Sequence, residues 1–481
     1  MSKKKRAPAK RVNKKKLWIT IAVVVVLAVV AVSYFTSPAF QRTKTVGTIG
    51  ADTVTETEFA YFYQTTVQGI ISDIQNTYGD YASLILDTSK SLNEQYYEED
   101  KTWHEYAVER TIEGMQQIHA LYHAAEADGY TLTDEGYATI EATKQTIENS
   151  AANYGYTTPL YLRAMYGHGM NMKTYEKLLG MVILAEGYAT WKDASLTYTD
   201  AQIDEYYNAH KADFDTVDLR MVPIQGNTDN ESGEVDLTDA KELAEHIMGL
   251  YKTEDALAEY AVDIADDDEI TAPDDTLYSY IPASKLTPDG MSDWCFDESR
   301  AYGDMAVFSD TSAYYVVFYI DRHDIDYNVV SMRHILVKPE QNEDGTVSDE
   351  AAAAAIEKMD GYLKEWEASD LTEDTFAAMA NQYSEDTGSN TAGGLYTGIY
   401  KGQMVKPVND WLFDPERSVG DVTIVQSSFG YHLMYFAGTG SNYKTTTITE
   451  TLRTEEYDAW VAGIKADTPV NIRDNVGDLM L

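Results

Sequence analysis

Leu17 to Phe35, LWITIAVVVVLAVVAVSYF, is a run of 19 uncharged residues with no polar face interrupting it. As a helix it would extend about 28 Å, close to the hydrocarbon thickness of a bilayer, so the pattern predicts a membrane-spanning segment over 17–35. Further on, the apolar positions become periodic. Val46–Tyr63 reads as a short strand, a turn at Gly50–Asp52 and a helix opened by Thr55 as N-cap, with Glu58 three positions later as a capping box. Val108, Ile112, Met115, Ile118 and Tyr122 recur at helical spacing within 103–125, and Leu178, Met181, Val182, Leu184 and Ala185 cluster in the same way. Residues 44–205 are therefore predicted to form an all-α domain. Near the end of the chain, Leu452, Trp460 and Ile464 give a further helix an apolar stripe that needs cover.

The region between carries an internal repeat. DWCFDESRAYGDMAVFSDTSAYYVVFYID, from Asp293, aligns without gaps on DWLFDPERSVGDVTIVQSSFGYHLMYFAG, from Asp410, an offset of 117 residues. Upstream, VDLRMVPI at 217–224 matches VSMRHILV at 330–337, and LAEYAVDIADD at 257–267 matches FAAMANQYSED at 376–386. Each copy runs strand, helices, strand, short helix, two strands, which predicts two α+β domains with small antiparallel sheets, at 206–325 and 328–438.

Charge sets the apolar run apart from the rest of the chain. The first 51 residues hold no acid, and nine Lys and Arg residues lie within the first 16. A basic tail on one side of an apolar span is expected to stay cytoplasmic, with everything after about residue 36 exported. The small residues of AVS, just before Tyr34, make a cleaved signal peptide the alternative to an uncleaved anchor, but the run is long for a signal peptide. The exported part has 28 Lys+Arg against 79 Asp+Glu, a net −51, a surface that repels nucleic acid and anionic lipid. Cys295 is the single cysteine and has no partner for an intramolecular disulfide. Export with so little cysteine suits the habit of Gram-positive bacteria.

Three places invite chemistry. His119 and His123 sit at i and i+4 on one helix face, but position 120 is Ala, the HExxH pattern is absent and no third ligand is evident, so the expectation is an ordinary solvated face and no metal. GHGM at 167–170 follows no strand and reads as a turn. His334, at the start of the apolar strand RHILV, is the third.

The second copy resembles the parvulin-type peptidyl-prolyl isomerases in six ordered elements: RHILV, an S-x-D loop, GG-L, G-Q-M, a W-x-F helix, and a G-D turn leading to FGYH. With the helical segments before it and the apolar N-terminus, the arrangement is similar to the exported foldase and chaperone group that includes PrsA and SurA. The resemblance implies that His334 and His432 meet from neighbouring strands with Asp386 beside them and Ser427 at a hydroxyl position. These four are the candidate catalytic residues. Met404, Val408, Phe413, Phe429 and Leu395 are the candidate proline-binding residues, and no cofactor or metal is implied. The family usually has a Phe where this chain has Val408, which leaves the pocket wider; Phe429 or Trp411 is the candidate to close it. The loop KPEQNEDGTVSDE is acidic, which disfavours a phosphoserine–proline preference.

In the first copy Met221 stands for His334, Tyr315 for His432 and Thr287 for Met404, and Asp267 alone is retained opposite Asp386. That copy is expected to be catalytically silent, a spacer or a peptide-binding surface. In the resembled group the C-terminal segment, here 445–481, returns to the helical domain. The whole is expected to be a membrane-anchored extracytoplasmic foldase acting on unfolded, newly exported polypeptides that contain proline, with no nucleic-acid partner and with a homodimer left open. The alternative is a non-catalytic holdase or envelope assembly scaffold.

Overall fold

The computed structural model describes residues 37–481 apart from 168, 230, 266–269 and 343–344. The basic tail 1–16, the apolar segment 17–35 and Asp267 thus lie outside the described residues. Among the described residues no helix is long and apolar enough to cross a membrane. Backbone contacts divide the chain into two units, one running to Thr197 and resuming at Arg453–Leu481, the other spanning Tyr198–Leu452.

After a helical turn at Pro38–Gln41, the first unit has β1 (Thr45–Ile49) and β2 (Asp52–Thr55) and then the longer helices α1 (Glu56–Tyr78), α2 (Trp103–Ala127), α3 (Asp134–Asn153), α4 (Thr158–Tyr166) and α5 (Met172–Ser195), with a short helix and a small hairpin between α1 and α2. The unit is not all-α, because a short final strand, Val470–Ile472, pairs with β1 to make a three-stranded antiparallel sheet. Gly47 permits this pairing, since a Cβ there would run into the Asn471 carbonyl oxygen. Strands this short carry too few alternating residues to stand out from the helical pattern. Ile49, Val54, Phe59, Met115, Leu162 and Leu178 form the core between sheet and helices.

Thr55 caps α1 as expected, accepting from the Glu58 N–H. The Glu58 carboxylate does not close the box; its Oε1 lies 3.2 Å from His119 Nε2. The expectation of a solvated histidine face is corrected here. His119 is buried, at 2% exposure, and Asp52 supplies a third donor beside His119 and His123.

The second unit begins with α6 (Asp200–Ala209) and contains the two repeats. The first consists of β3 (Thr216–Gln225), α7 (Thr238–Leu250), α8 (Glu254–Ile264), β4 (Leu277–Pro282), α9 (Met291–Cys295), β5 (Met305–Ser309) and β6 (Ala313–His323). The second consists of β7 (Asn328–Val337), α10 (Asp349–Glu367), α11 (Glu373–Tyr383), β8 (Leu395–Ile399), α12 (Lys406–Leu412), β9 (Val422–Ser427) and β10 (Gly430–Asn442). Both sheets are four-stranded and antiparallel, in the orders β4-β3-β6-β5 and β8-β7-β10-β9. The chain leaves the second repeat through α13 (Tyr443–Ala466), within which the division between the units falls.

Alternation along β7 assigns its two faces. Ile335 and Val337 join Leu433 and Tyr435 of β10 in a core against α10 and α11, with Trp366, Phe376 and Met379. Met332 faces the other way, with Met434 and Phe436, onto Val408 and Leu412 of α12. His334 shares the face of Met332.

Candidate active site

Residue pairing places the two site histidines together. In the β7–β10 ladder His334 is opposite Met434 and His432 is opposite Leu336, so the histidines are diagonal neighbours on one face. Their rings stack at 5.3 Å between centroids with 14° between planes, and the two Nδ1 atoms are 3.1 Å apart. His334 Nε2 lies 2.8 Å from Asp386 Oδ2, and His432 Nε2 lies 2.7 Å from Ser427 Oγ. The four candidate catalytic residues are therefore one connected chain.

Only one proton arrangement gives every donor an acceptor. An ionised carboxylate accepts only, so His334 donates from Nε2 to Asp386 and leaves its Nδ1 as a lone pair. His432 must then donate from Nδ1, and its Nε2 accepts the Ser427 hydroxyl proton. The Ser427 oxygen accepts in turn from the Phe429 N–H. Every step is polarised toward Asp386, and both rings are neutral.

The electrostatics agree. Burial pushes the His334 pKa down, against the pull of Asp386. His432 is lowered to about 4, by burial first and then by the neighbouring His334. For Asp386, burial acts to raise the pKa, but hydrogen bonds from Ser389, His334, Tyr396 and the Gly388 N–H outweigh it and hold the carboxyl below the ordinary range.

Two residues of the site, Ser389 and Tyr396, are not among those the sequence points to. Ser389 Oγ and Tyr396 OH both donate to Asp386 Oδ2, the latter at 2.9 Å. A signal exists for Tyr396, which follows GG-L and pairs with Met332 across β7–β8. The GG-L element has a steric basis: Gly394 has φ of 68°, and a Cβ there would meet the His334 carbonyl oxygen. The backbone of the loop thus packs directly on the strand that carries the histidine, and the Gly394 carbonyl accepts from the His334 N–H.

A cavity of about 390 Å³ opens over the histidine pair. Met332, Leu336, Met404, Val405 and Val408 give it apolar walls, and Phe429, 60% exposed, stands at its rim. Lys338, Tyr396 and Gln403 complete the polar part of the lining. Of the candidate proline-binding residues, Met404, Val408 and Phe429 line it, whereas Leu395 and Phe413 do not. Leu395 is paired to Arg333 in the sheet, and Phe413 packs edge-on against Tyr327. Phe429 is at the cavity and Trp411 is not: Trp411 lies under the Arg417 guanidinium.

Residues 314–437, which end with the sheet carrying these histidines, match the sequence profile of the PPIC-type PPIASE domain. The second repeat is thus a parvulin-type peptidyl-prolyl isomerase domain. Foldase protein PrsA 3 of Bacillus cereus is 43% identical over 60 residues, 12% of this chain and 20% of the relative. Foldase protein PrsA 4 of the same species is 47% identical over 60 residues, 12% of this chain and 21% of the relative. The chain spans about a fifth of the length of these curated relatives. Among solved structures, the peptidylprolyl isomerase PrsA from Bacillus cereus aligns over 80% of this chain and 95% of its own, at 13% identity and a TM-score of 0.21. A structure of SurA-like chaperones from Campylobacter jejuni covers 89% and 100%, at 13% identity and a TM-score of 0.16. Scores this low add nothing to the fold already described.

Proposed function

We propose that this chain is an extracytoplasmic foldase, anchored through 17–35, whose second repeat isomerises X–Pro bonds in newly exported polypeptides while the rest of the chain holds them. The observation that supports it most directly is the His334–His432 pair, hydrogen-bonded to Asp386 and Ser427, beneath an apolar cavity in a parvulin-type domain. Amide resonance sets a rotation barrier of ~18–20 kcal/mol, and the planar form is the charge-separated one. Met404, Leu336, Val405 and Val408 hold the proline ring in surroundings that disfavour that charge separation. The histidine chain fixes the polarity of the cavity floor with neutral, ordered rings, so the twisted amide meets preorganised dipoles and no covalent step is needed.

The first repeat and the helical unit serve as holding surfaces in this reading. The net −51 of the exported part keeps such surfaces from nucleic acid and anionic lipid. A prolyl-peptide exchange assay on the purified chain tests the proposal: the chain accelerates cis/trans exchange, and His334→Ala lowers that rate. Equal rates with and without the chain would favour a non-catalytic holdase, the reading that Val408 in place of the usual Phe supports.

A further inference from the structure

In the first unit, far in sequence from the isomerase domain, the β1–β2 turn meets one face of α2. His119 Nδ1 and His123 Nε2 each lie 2.7 Å from the same atom, Oδ2 of Asp52. The three donor atoms are all within 4.8 Å of one another. Each ring also has a carboxylate on its other nitrogen: Glu58 Oε1 is 3.2 Å from His119 Nε2, and Glu126 Oε2 is 3.1 Å from His123 Nδ1.

A neutral imidazole has one proton and donates from one nitrogen only. Two neutral rings cannot satisfy four carboxylate contacts, so the three surrounding carboxylates call for positive charge at this point, which a ring proton or a metal ion can supply. His119 Nε2 is moreover sealed from solvent, with Glu58 near it but poorly aligned for a hydrogen bond. A cation resolves the arrangement. The ring nitrogens facing Asp52 become lone-pair ligands, and the opposite N–H groups turn to Glu58 and Glu126, the outer carboxylate–histidine pattern that orients metal-binding imidazoles.

We propose that Asp52, His119 and His123 form a binding site for a divalent transition metal, zinc foremost. Imidazole ligands select zinc and its neighbours over calcium or magnesium, which take all-oxygen sites. Neighbouring ligands on tetrahedral zinc are roughly 3.4 Å apart, so entry requires a small withdrawal of Asp52 and His123, both partly exposed, from the 2.7 Å contacts. The three residues line a cavity of about 610 Å³ together with Tyr122, Tyr137, Met181 and Leu184. A bound metal would pin the turn at the start of β2 to α2 and so stabilise the terminal sheet of this unit. The i, i+4 spacing is visible in the sequence, but Asp52, 67 residues before His119, is not recognisable there as the third ligand.

The test uses the untagged full chain stripped with chelator, titrated with Zn²⁺ by calorimetry and with Co²⁺ by its visible absorption. The expected result is one equivalent bound, with the melting temperature raised by about 5 °C or more at a hundredfold excess over Kd. His123→Ala and Asp52→Asn, both at partly exposed positions, should each weaken binding at least tenfold, while His246→Ala changes nothing. Absence of stoichiometric binding, or binding that survives both substitutions undiminished, would overturn the assignment. Because this readout is metal binding and not isomerisation, its result is independent of the isomerase proposal.

Discussion

The two repeats of the second unit share a scaffold and differ in what one sheet face carries. The strand orders are identical, and so is the register at the decisive positions. His334 is opposite Met434 where Met221 is opposite Val317, and Leu336 is opposite His432 where Pro223 is opposite Tyr315. Even a structural ion pair recurs: Arg220 Nε reaches Glu254 at 2.9 Å, and Arg333 Nε reaches Glu373 at 2.8 Å. The face toward the short helix is what changes. In the first repeat Met221 joins Leu219, Met291 and Val317 in an apolar cluster, and the Tyr315 hydroxyl turns away to Asp310. In the second, two buried histidines replace these residues and require a carboxylate, a hydroxyl and a loop to satisfy them. The scaffold is held by the alternating apolar positions common to both copies, while the site is a polar insertion that the scaffold tolerates only with its full set of partners.

Acid should separate the repeats most. His432 has a folded pKa of about 4, against about 6.5 for an unperturbed histidine, so between these values the unfolded chain binds the proton more readily. The stability contribution is complete above about pH 6.5 and is lost as pH falls toward 4, to a ceiling of about 3 kcal/mol. The first repeat has no histidine on this face and lacks the effect. Urea unfolding from pH 7 to 4 should show a steeper loss in the native chain than in His432→Gln; parallel curves would remove the buried neutral histidine from the account.

Next comes catalysis. His334→Ala takes the acceptor from His432 Nδ1 and a donor from Asp386, breaking the chain at its centre. Activity in the prolyl-peptide assay should fall about 10–100-fold, or about 1.4–2.7 kcal/mol of barrier. A smaller loss would mean that the apolar cavity works alone, as a widened version of the first repeat.

How much of this is legible in the sequence depends on the kind of interaction involved. The repeat and its order of elements rest on two aligned copies, which a sequence displays directly, whereas the meeting of His334 with His432 is implied by the resemblance to parvulins and is only permitted by the period-2 alternation of the strands. Ser389 and Tyr396 are hidden because their roles depend on how an irregular loop folds back onto Asp386, and nothing in a loop's hydrophobic pattern encodes that. Phe413 and Leu395 are expected in the cavity because they belong to recognisable motif elements. In the folded chain those elements use Phe413 and Leu395 to pack and to pair, leaving the cavity wall to Met332, Leu336 and Val405. The terminal sheet is invisible because its third strand comes from the other end of the chain.

A smaller effect is expected at the position where the chain departs from its resemblance. Val408 is 3% exposed and packs on Met332, Leu412 and Met434 while also bordering the cavity. Val408→Phe adds a ring to a filled cluster, which should cost about 1–2 kcal/mol of stability. The prolyl-peptide KM should change by less than about threefold, since Met404 and Val405 already wall the cavity. A large gain in activity would show instead that the missing ring had limited the site.

The smallest effect should come from transplanting the histidines. In a His334→Ala background, Met221→His with Tyr315→His puts both rings at register positions equivalent to those of His334 and His432. The geometry of the strands is then right, yet the rest of the chain of hydrogen bonds is not supplied. Met221 sits among Leu219, Met291 and Val317, so an imidazole there is buried in apolar surroundings; of the residues that organise Asp386, the register supplies a match for Tyr396 alone, in Tyr278. Thr287 occupies the place of Met404, so the proline wall is missing too. The double variant should show no isomerisation above the background, and adding Thr287→Met should recover at most a few per cent of the native rate, because a site needs its supporting shell as well as its first contacts. Robust activity in the double variant would break the comparison, since it would mean that the sheet register alone, without Asp386, Ser389 and Tyr396, is enough to make two histidines a prolyl isomerase site.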